Sequence, residues 1–228
     1  PICCCYAIAA ITDMKYALFS VLWMTCLLPR LAGAIAYDYY PLYDLTFEAP
    51  HHDADTPVAI ATNELYAPSS LYHNGDTDGV MVRNLAGNQV CEFKWGGAAT
   101  TNSTLKYEQV RMTIPSITAL LIEFDVLFPE LATNGLDGYQ FTVMMDTDTA
   151  AYRIDFNSDG QIVGGASFQT GTWHRVSIAA DMYYHSYEFR LDGAVKFQGG
   201  IFGNVIAGTR LNLWDPYGAG KTVYVDNV

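Results

Sequence analysis

Two carboxylates stand two residues apart in Glu123-Phe124-Asp125, so in an extended chain both project from one side. Carboxyl groups about 5 Å apart are the machinery of retaining glycosidases, one as nucleophile and the other as acid and base. Acids and amides at alternate positions point to different chemistry. Asp155-x-Asn157-x-Asp159-Gly160 matches the first half of a D-x-N-x-D-G loop, in which side-chain oxygens wrap a hard cation such as Ca2+ and the glycine permits a tight turn. The bidentate acid that such a loop needs at its twelfth position is Ala166 here, and an ordinary hairpin turn is the competing reading. Asn74-x-Asp76-x-Asp78-Gly79 repeats the half-motif, with Leu85 where the acid should be. His51-His52-Asp53-x-Asp55 carries zinc-type ligands. Neighbours in an extended chain face opposite ways, however, and nothing elsewhere completes a tetrahedral set, so a solvated loop is expected. Sugar rings stack on flat side chains presented by loops on a rigid sheet. Tyr183 and Tyr184 lie between two strand patterns, and Trp214 and Tyr217 flank the Asp215-Pro216 turn. The competing reading has Trp214 in the core and the tyrosines as ordinary rim residues. Trp173 is assigned to the core.

The elements that must position these groups read as strands. Leu120, Ile122, Phe124, Val126 and Phe128 share one face of an extended run over 118–128, and Tyr139, Phe141, Val143 and Met145 do the same. Tyr152, Ile154 and Phe156 continue the alternation, as do Val176 with Ile178, and Tyr187 with Phe189 and Leu191. The stretches 209–214 and 222–228 read as the last two strands. Asn134-Gly135, Asp137-Gly138, Ser158-Asp159-Gly160, Asp192-Gly193 and Tyr217-Gly218 supply turns between them. Many short strands at regular spacing, without a helical period, predict an antiparallel β-sandwich. The segment 49–79 differs: it is rich in Pro, Asp and Asn, with weak strand character only around Val58 to Ala61, and long loops of this kind are functional or covering flaps.

The N-terminus reads as an address. Met14 and Lys15 open a basic start, 17–28 is almost wholly apolar, and Ala34 and Ala36 form an A-x-A cleavage pattern. The apolar run falls short of the roughly 20 residues of a membrane span. Residues 1–13 are read as upstream translation, 14–36 as a signal peptide, and 37–228 as the secreted domain. Cleavage would leave Cys91 as the single thiol, buried in the strand 89–95 with no disulfide partner. Half of the whole chain is hydrophobic and 16% charged, which excludes disorder. Twenty-four acids against 12 bases argue against nucleic acid as a partner. Losing one of those acids and two of those bases with the leader makes the remainder more acidic still.

From Ala151 to Gly199 the chain reads AYRIDFNSDGQIV and then TGTWHRVSIAADMYYHSYEFRLDGAVKFQG. This succession, with a Gly-Thr-Trp-His entry into one strand and a Leu-Asp-Gly exit from the next, resembles laminin-G-like domains of the concanavalin A-like lectin/glucanase superfamily. Leu45-Thr46-Phe47-Glu48 and Val223-Tyr224-Val225-Asp226-Asn227-Val228 are similar to the opening and closing strands of secreted bacterial jelly rolls. The resemblance implies a jelly roll with Trp173 packed under a sheet and Asp192-Gly193 closing a hairpin. It also implies a structural calcium where first and last strands meet, at Glu48 and Asp226, against the alternative that both merely cap strand ends or pair with bases. Glucanases of the superfamily carry E-x-D-x-(x)-E on one strand. The third position falls on Leu127 or Phe128, and Glu130 lies beyond Pro129, so the signature is incomplete. The Arg, His and Tyr signatures of lyases with this fold are not found either. The chain stops inside its last strand pattern, which favours reading it as a fragment. The expectation is a secreted, non-catalytic binding or adhesion module for carbohydrate or a cell-surface partner, extracellular or at the cell surface. The alternatives are a diverged glycoside hydrolase or polysaccharide lyase, or a purely structural surface protein.

Overall fold

The computed structural model describes residues 41–60, 65, 68–73, 80–94, 107–130, 139–162, 164–214 and 221–228. The leader, the half-motif at Asn74, Asp76 and Asp78, and Tyr217 lie outside them. Among the described residues there are fourteen strands and no helix, hence none long and apolar enough to cross a membrane. In chain order they are β1 Ser70–His73, β2 Val80–Leu85, β3 Asn88–Lys94, β4 Tyr107–Ile117, β5 Ala119–Leu127, β6 Gln140–Thr147 and β7 Ala151–Asn157. Then follow β8 Gln161–Ile162, β9 Ala166–Ser167, β10 Trp173–Asp181, β11 Ser186–Leu191, β12 Ala194–Gly200, β13 Ile206–Trp214 and β14 Thr222–Asp226. They form two seven-stranded antiparallel sheets: sheet I in the order β1-β4-β13-β6-β7-β8-β9, and sheet II in the order β12-β11-β10-β5-β14-β3-β2.

The alternation seen in the sequence is the alternation of the pleat. Leu120, Ile122, Phe124 and Val126 of β5 are buried, as are Phe141, Val143 and Met145 of β6, and the residues between them face outward. The core is a layer of aromatic rings between the sheets. Phe141 and Phe156 of sheet I meet Phe93, Phe124 and Phe189 of sheet II at centroid distances from 5.6 to 6.4 Å, mostly edge to face. Each fully buried phenylalanine contributes about 1.5–3 kcal/mol by leaving water. Cys91 is buried in this layer, and burial holds its thiol well above the usual range, so it stays protonated and inert.

The Asp192-Gly193 turn closes the β11–β12 hairpin with both residues at positive φ, 52° and 76°, as a two-residue turn matched to strand twist requires. Leu45 and Val228 exchange both main-chain hydrogen bonds, 2.8 and 3.2 Å, so the segment at Leu45 lies alongside the continuation of β14. Around Val58 the weak strand signal becomes an isolated bridge, Pro57 to Met81, with Val58 N–H bonded to the Val80 carbonyl.

Two expectations need correction. Trp173 is not a core residue: it opens β10 on the outward face of sheet II, 40% exposed, and its neighbour His174 is the buried one. The eleven-residue β4 escaped the sequence reading. Its inward residues Val110, Met112 and Ile114 alternate properly, but Gln109, Arg111 and Thr113 between them are polar and Pro115 interrupts the run. The strand accommodates that proline with a register shift against β13 between Ile206 and Gly208.

Candidate functional site

The outward faces of the two sheets carry different chemistry. On sheet I, register aligns outward residues of four adjacent strands into transverse rows. Arg111 of β4 faces Arg210 of β13, which faces Met144 of β6, which faces Arg153 of β7. One step along, Gln109, Asn212, Thr142 and Asp155 form the next row; beyond that Trp214, Gln140 and Asn157 form a third. Rows lie about 7 Å apart and strands about 4.8 Å apart.

Hydrogen bonds tie these side chains into a lattice. Gln109 Nε2 donates to Asn212 Oδ1 at 2.9 Å, and Gln140 Nε2 to Asn157 Oδ1 at 2.8 Å. Asp155, buried, accepts from Thr142 Oγ1 at 2.8 Å and from Arg153 Nε and Nη2 at 2.8 and 2.7 Å. Arg153 Nη2 also reaches Gln140 Oε1 at 3.2 Å, and Arg210 Nη2 pairs with Asp146. The half-motif Asp155, Asn157, Asp159 is thus divided among separate partners. Asp155 and Asn157 belong to the sheet lattice, while Asp159 accepts from Gln161 N–H at 3.0 Å inside the β7–β8 turn.

Sheet II presents carboxylates held by cations and amides. Glu123 and Asp125 do share a face, as their spacing requires, and both lie 3.4 Å from the guanidinium of Arg175 on β10. Asp125 also accepts from Asn227 Nδ2 at 2.7 Å. Glu92 pairs with Arg83 at 2.9 Å, and Glu188 with Arg190 at 2.5 Å and Gln198 at 2.6 Å. Two residues beyond Asp125 stands Leu127, so the strand offers no third carboxylate.

Beside the Leu45–Val228 pairing, Glu48 accepts from Gln89 N–H at 3.0 Å and Gln89 Nε2 at 3.4 Å. Asp226 accepts from Asn88 Nδ2 and Asn227 N–H, each at 2.8 Å. Burial pushes the Asp226 carboxyl above the usual carboxylate range. The bonds from Asn88 and Asn227 pull it back, and the charges of Asp125 and Glu48 add to the rise. Gln89 Oε1 is buried without a hydrogen-bond partner. Carboxylate and amide oxygens are the donors a hard cation takes, and an orphaned buried oxygen fits one. Among the described residues no group of three or more His, Cys, Asp or Glu side chains is placed to hold a metal, so a cation here would need the Gln89 amide or main-chain oxygens.

His52 is buried against the Phe47 ring, 5.5 Å between centroids, whereas His51 is exposed; the adjacent pair faces opposite ways. The predicted aromatic set is not one site either. Tyr183 and Tyr184 stand at the β10–β11 hairpin, Tyr183 80% exposed, their rings edge to face at 5.0 Å and both N–H groups capped by Asp181 Oδ1. Trp214 is half-buried at the far end of β13, which spans about 26 Å over its nine residues. Sequence reasoning missed Phe202, 70% exposed near the tyrosine hairpin. Its N–H donates to Tyr152 Oη at 2.5 Å, its carbonyl accepts from Thr147 and Thr149, and neighbouring Ile201 N–H bonds the His185 carbonyl. The only local signal was an apolar Ile-Phe pair between Gly200 and Gly203. It reads equally well as core, and Ile201 is indeed buried.

No family model and no curated protein matches the sequence. Solved structures do match. SCLam, a non-specific endo-β-1,3(4)-glucanase from family GH16, is similar at a TM-score of 0.52 and 14% identity, over 85% of this chain and 91% of that one. The carbohydrate recognition domain of Emp46p, in its potassium-bound form, is similar at 0.48 and 12%, over 84% and 100%. A sialidase is similar at 0.45 and 14%, and there this chain spans only 18% of the other's length. At these identities the likeness shows the fold alone, a two-sheet antiparallel jelly-roll sandwich like that of SCLam, and it does not single out the laminin-G-like branch to which the 151–199 stretch pointed.

Proposed function

We propose that the protein is a secreted, non-catalytic binding or adhesion module that recognises carbohydrate, with a structural calcium at its closing seam. The observation that carries the first part is the outward lattice of sheet I, where Trp214 stands beside rows of amides and hydroxyl groups on a rigid ladder. Preorganised planar donors and acceptors suit sugar hydroxyls, and an indole suits the apolar face of a pyranose. Tyr183 and Tyr184, with Phe202, are a second exposed aromatic group at the opposite end. On a glycan array the wild type should bind, and Trp214→Ala should weaken binding about tenfold or more. If Tyr183→Ala and Tyr184→Ala weaken it instead, recognition belongs to the hairpin end. Absence of binding across the array would favour a structural surface protein, and release of reducing sugar would favour an enzyme.

The calcium proposal assigns Glu48, Asp226 and the Gln89 amide oxygen as ligands. The ion would neutralise the repulsion among Glu48, Asp125 and Asp226 and satisfy the orphaned oxygen. Calcium should then raise the melting temperature and EDTA lower it. An unchanged melting temperature in EDTA would remove calcium from the account.

A further inference from the structure

We infer that the ligand of the sheet I face is an extended polysaccharide bearing carboxylates, lying across β4, β13, β6 and β7 and read by the arginine row. The inference rests on the carbohydrate reading above and adds to it the ligand class and the place. In a chain with a formal charge of −12 and only 12 basic residues, three arginines fall in one transverse row. Two of them are matched by acids on the same face: Arg210 by Asp146, and Arg153 by Asp155. Arg111 is exposed and has no carboxylate partner among the described residues, so among them the arginines of this row exceed the acids paired with them by one.

The acids aim the guanidinium groups without exhausting them. Arg153 is held at Nε and Nη2 and keeps half of its side chain in solvent, whereas Arg210 Nε is buried and turned away from any ligand on the face. Planar forks with unused N–H groups are made for carboxylates. Arg111 and Arg153 stand three strand spacings apart, about 14 Å, with Met144 and Arg210 between them, and the amide row runs parallel alongside. That is a track for a chain of rings bearing acids at intervals, its hydroxyl groups on the amides and its carboxylates on the arginines. A single surplus charge is too little for nucleic acid or densely sulfated polymers, whose binding scales with the number of phosphates or sulfates neutralised. It is enough for a polymer that also offers hydroxyl groups and apolar ring faces.

The test uses surface-immobilised polyuronate, its methyl-esterified form and a neutral β-glucan, probed with the whole protein. Wild type should prefer the polyuronate to the ester by about ten- to hundredfold, the weight of one charge-assisted contact. Arg111→Gln should abolish that preference and Arg111→Lys should restore part of it, both with an unchanged melting temperature because Arg111 lies exposed on the face. Equal affinity for polyuronate and ester, indifferent to Arg111→Gln, would overturn the acidic ligand and leave the carbohydrate reading standing. Binding lost in a Tyr183→Ala/Tyr184→Ala variant but kept in Arg111→Gln would overturn the placement. Binding to none of the three polymers would overturn both the inference and the reading beneath it.

Discussion

The two sheets share one core and turn opposite chemistries outward. On sheet II the carboxylates of Glu123, Glu92 and Glu188 are answered by Arg175, Arg83 and Arg190, pairs that range from exposed at Glu123 to buried at Glu92, satisfy each other and leave little over for a ligand. On sheet I the described outward arginines exceed the acids paired with them by one, an indole is half open, and buried Asp155 ties Thr142 to Arg153. Charge on a surface is therefore no guide to a site. Sheet II is the more heavily charged face and the more self-sufficient one, whereas sheet I holds donors its own neighbours do not use.

Substitutions should separate the two faces by size of effect. Phe141→Ala removes a ring that touches Phe93, Phe124 and Phe156, and should cost about 3–5 kcal/mol in urea unfolding, weakening both faces alike. Asp155→Ala strips a buried acceptor from Thr142 and Arg153. A loss of about 1–3 kcal/mol is expected, with binding to the sheet I face impaired and sheet II untouched. A cost below about 0.5 kcal/mol would mean that the lattice is no more cohesive than the exposed pairs opposite.

A smaller effect is expected at the seam. Asp226 has a carboxyl raised above its unfolded value, so its contribution favours the fold at acid pH and is lost as pH rises through the raised folded value. In EDTA the melting temperature should decline as pH rises above the ordinary carboxylate value of about 4, Asp226→Asn should flatten that decline, and calcium should cancel it. Smallest of all, Glu123→Gln weakens an exposed 3.4 Å pair and should change stability by less than about 1 kcal/mol. If that variant abolished a hydrolytic activity found in the wild type, sheet II rather than sheet I would be the working face.

The sandwich was legible because burial on one side forces a period of two, and β5, β6, β7, β10 and β11 each show it in their own residues. β4 was not, since its outward Gln109 and Arg111 and its Pro115 dilute the pattern; only the partners on either side make it a central strand. Trp173 was misassigned because a large aromatic at a strand entry is apolar by type, and whether it faces inward depends on a phase set by His174. For a related reason, spacing along the chain does not say that Tyr183 and Trp214 lie at opposite ends of the sheets.

By itself the sequence determined the class of fold, the hairpin at Asp192-Gly193, the shared face of Glu123 and Asp125 and the burial of Cys91, all of them properties of alternation and turn chemistry within a few residues. Only the tertiary structure decided that Arg111, Arg210 and Arg153 stand in one row, and that Gln89 closes over Glu48 beside Asp226. Those groupings are set by strand order and register, which join residues up to 138 positions apart in the chain, as in the bond from Asn88 to Asp226. Pairing across a sheet is governed by the sum of many core contacts, and no local pattern records it.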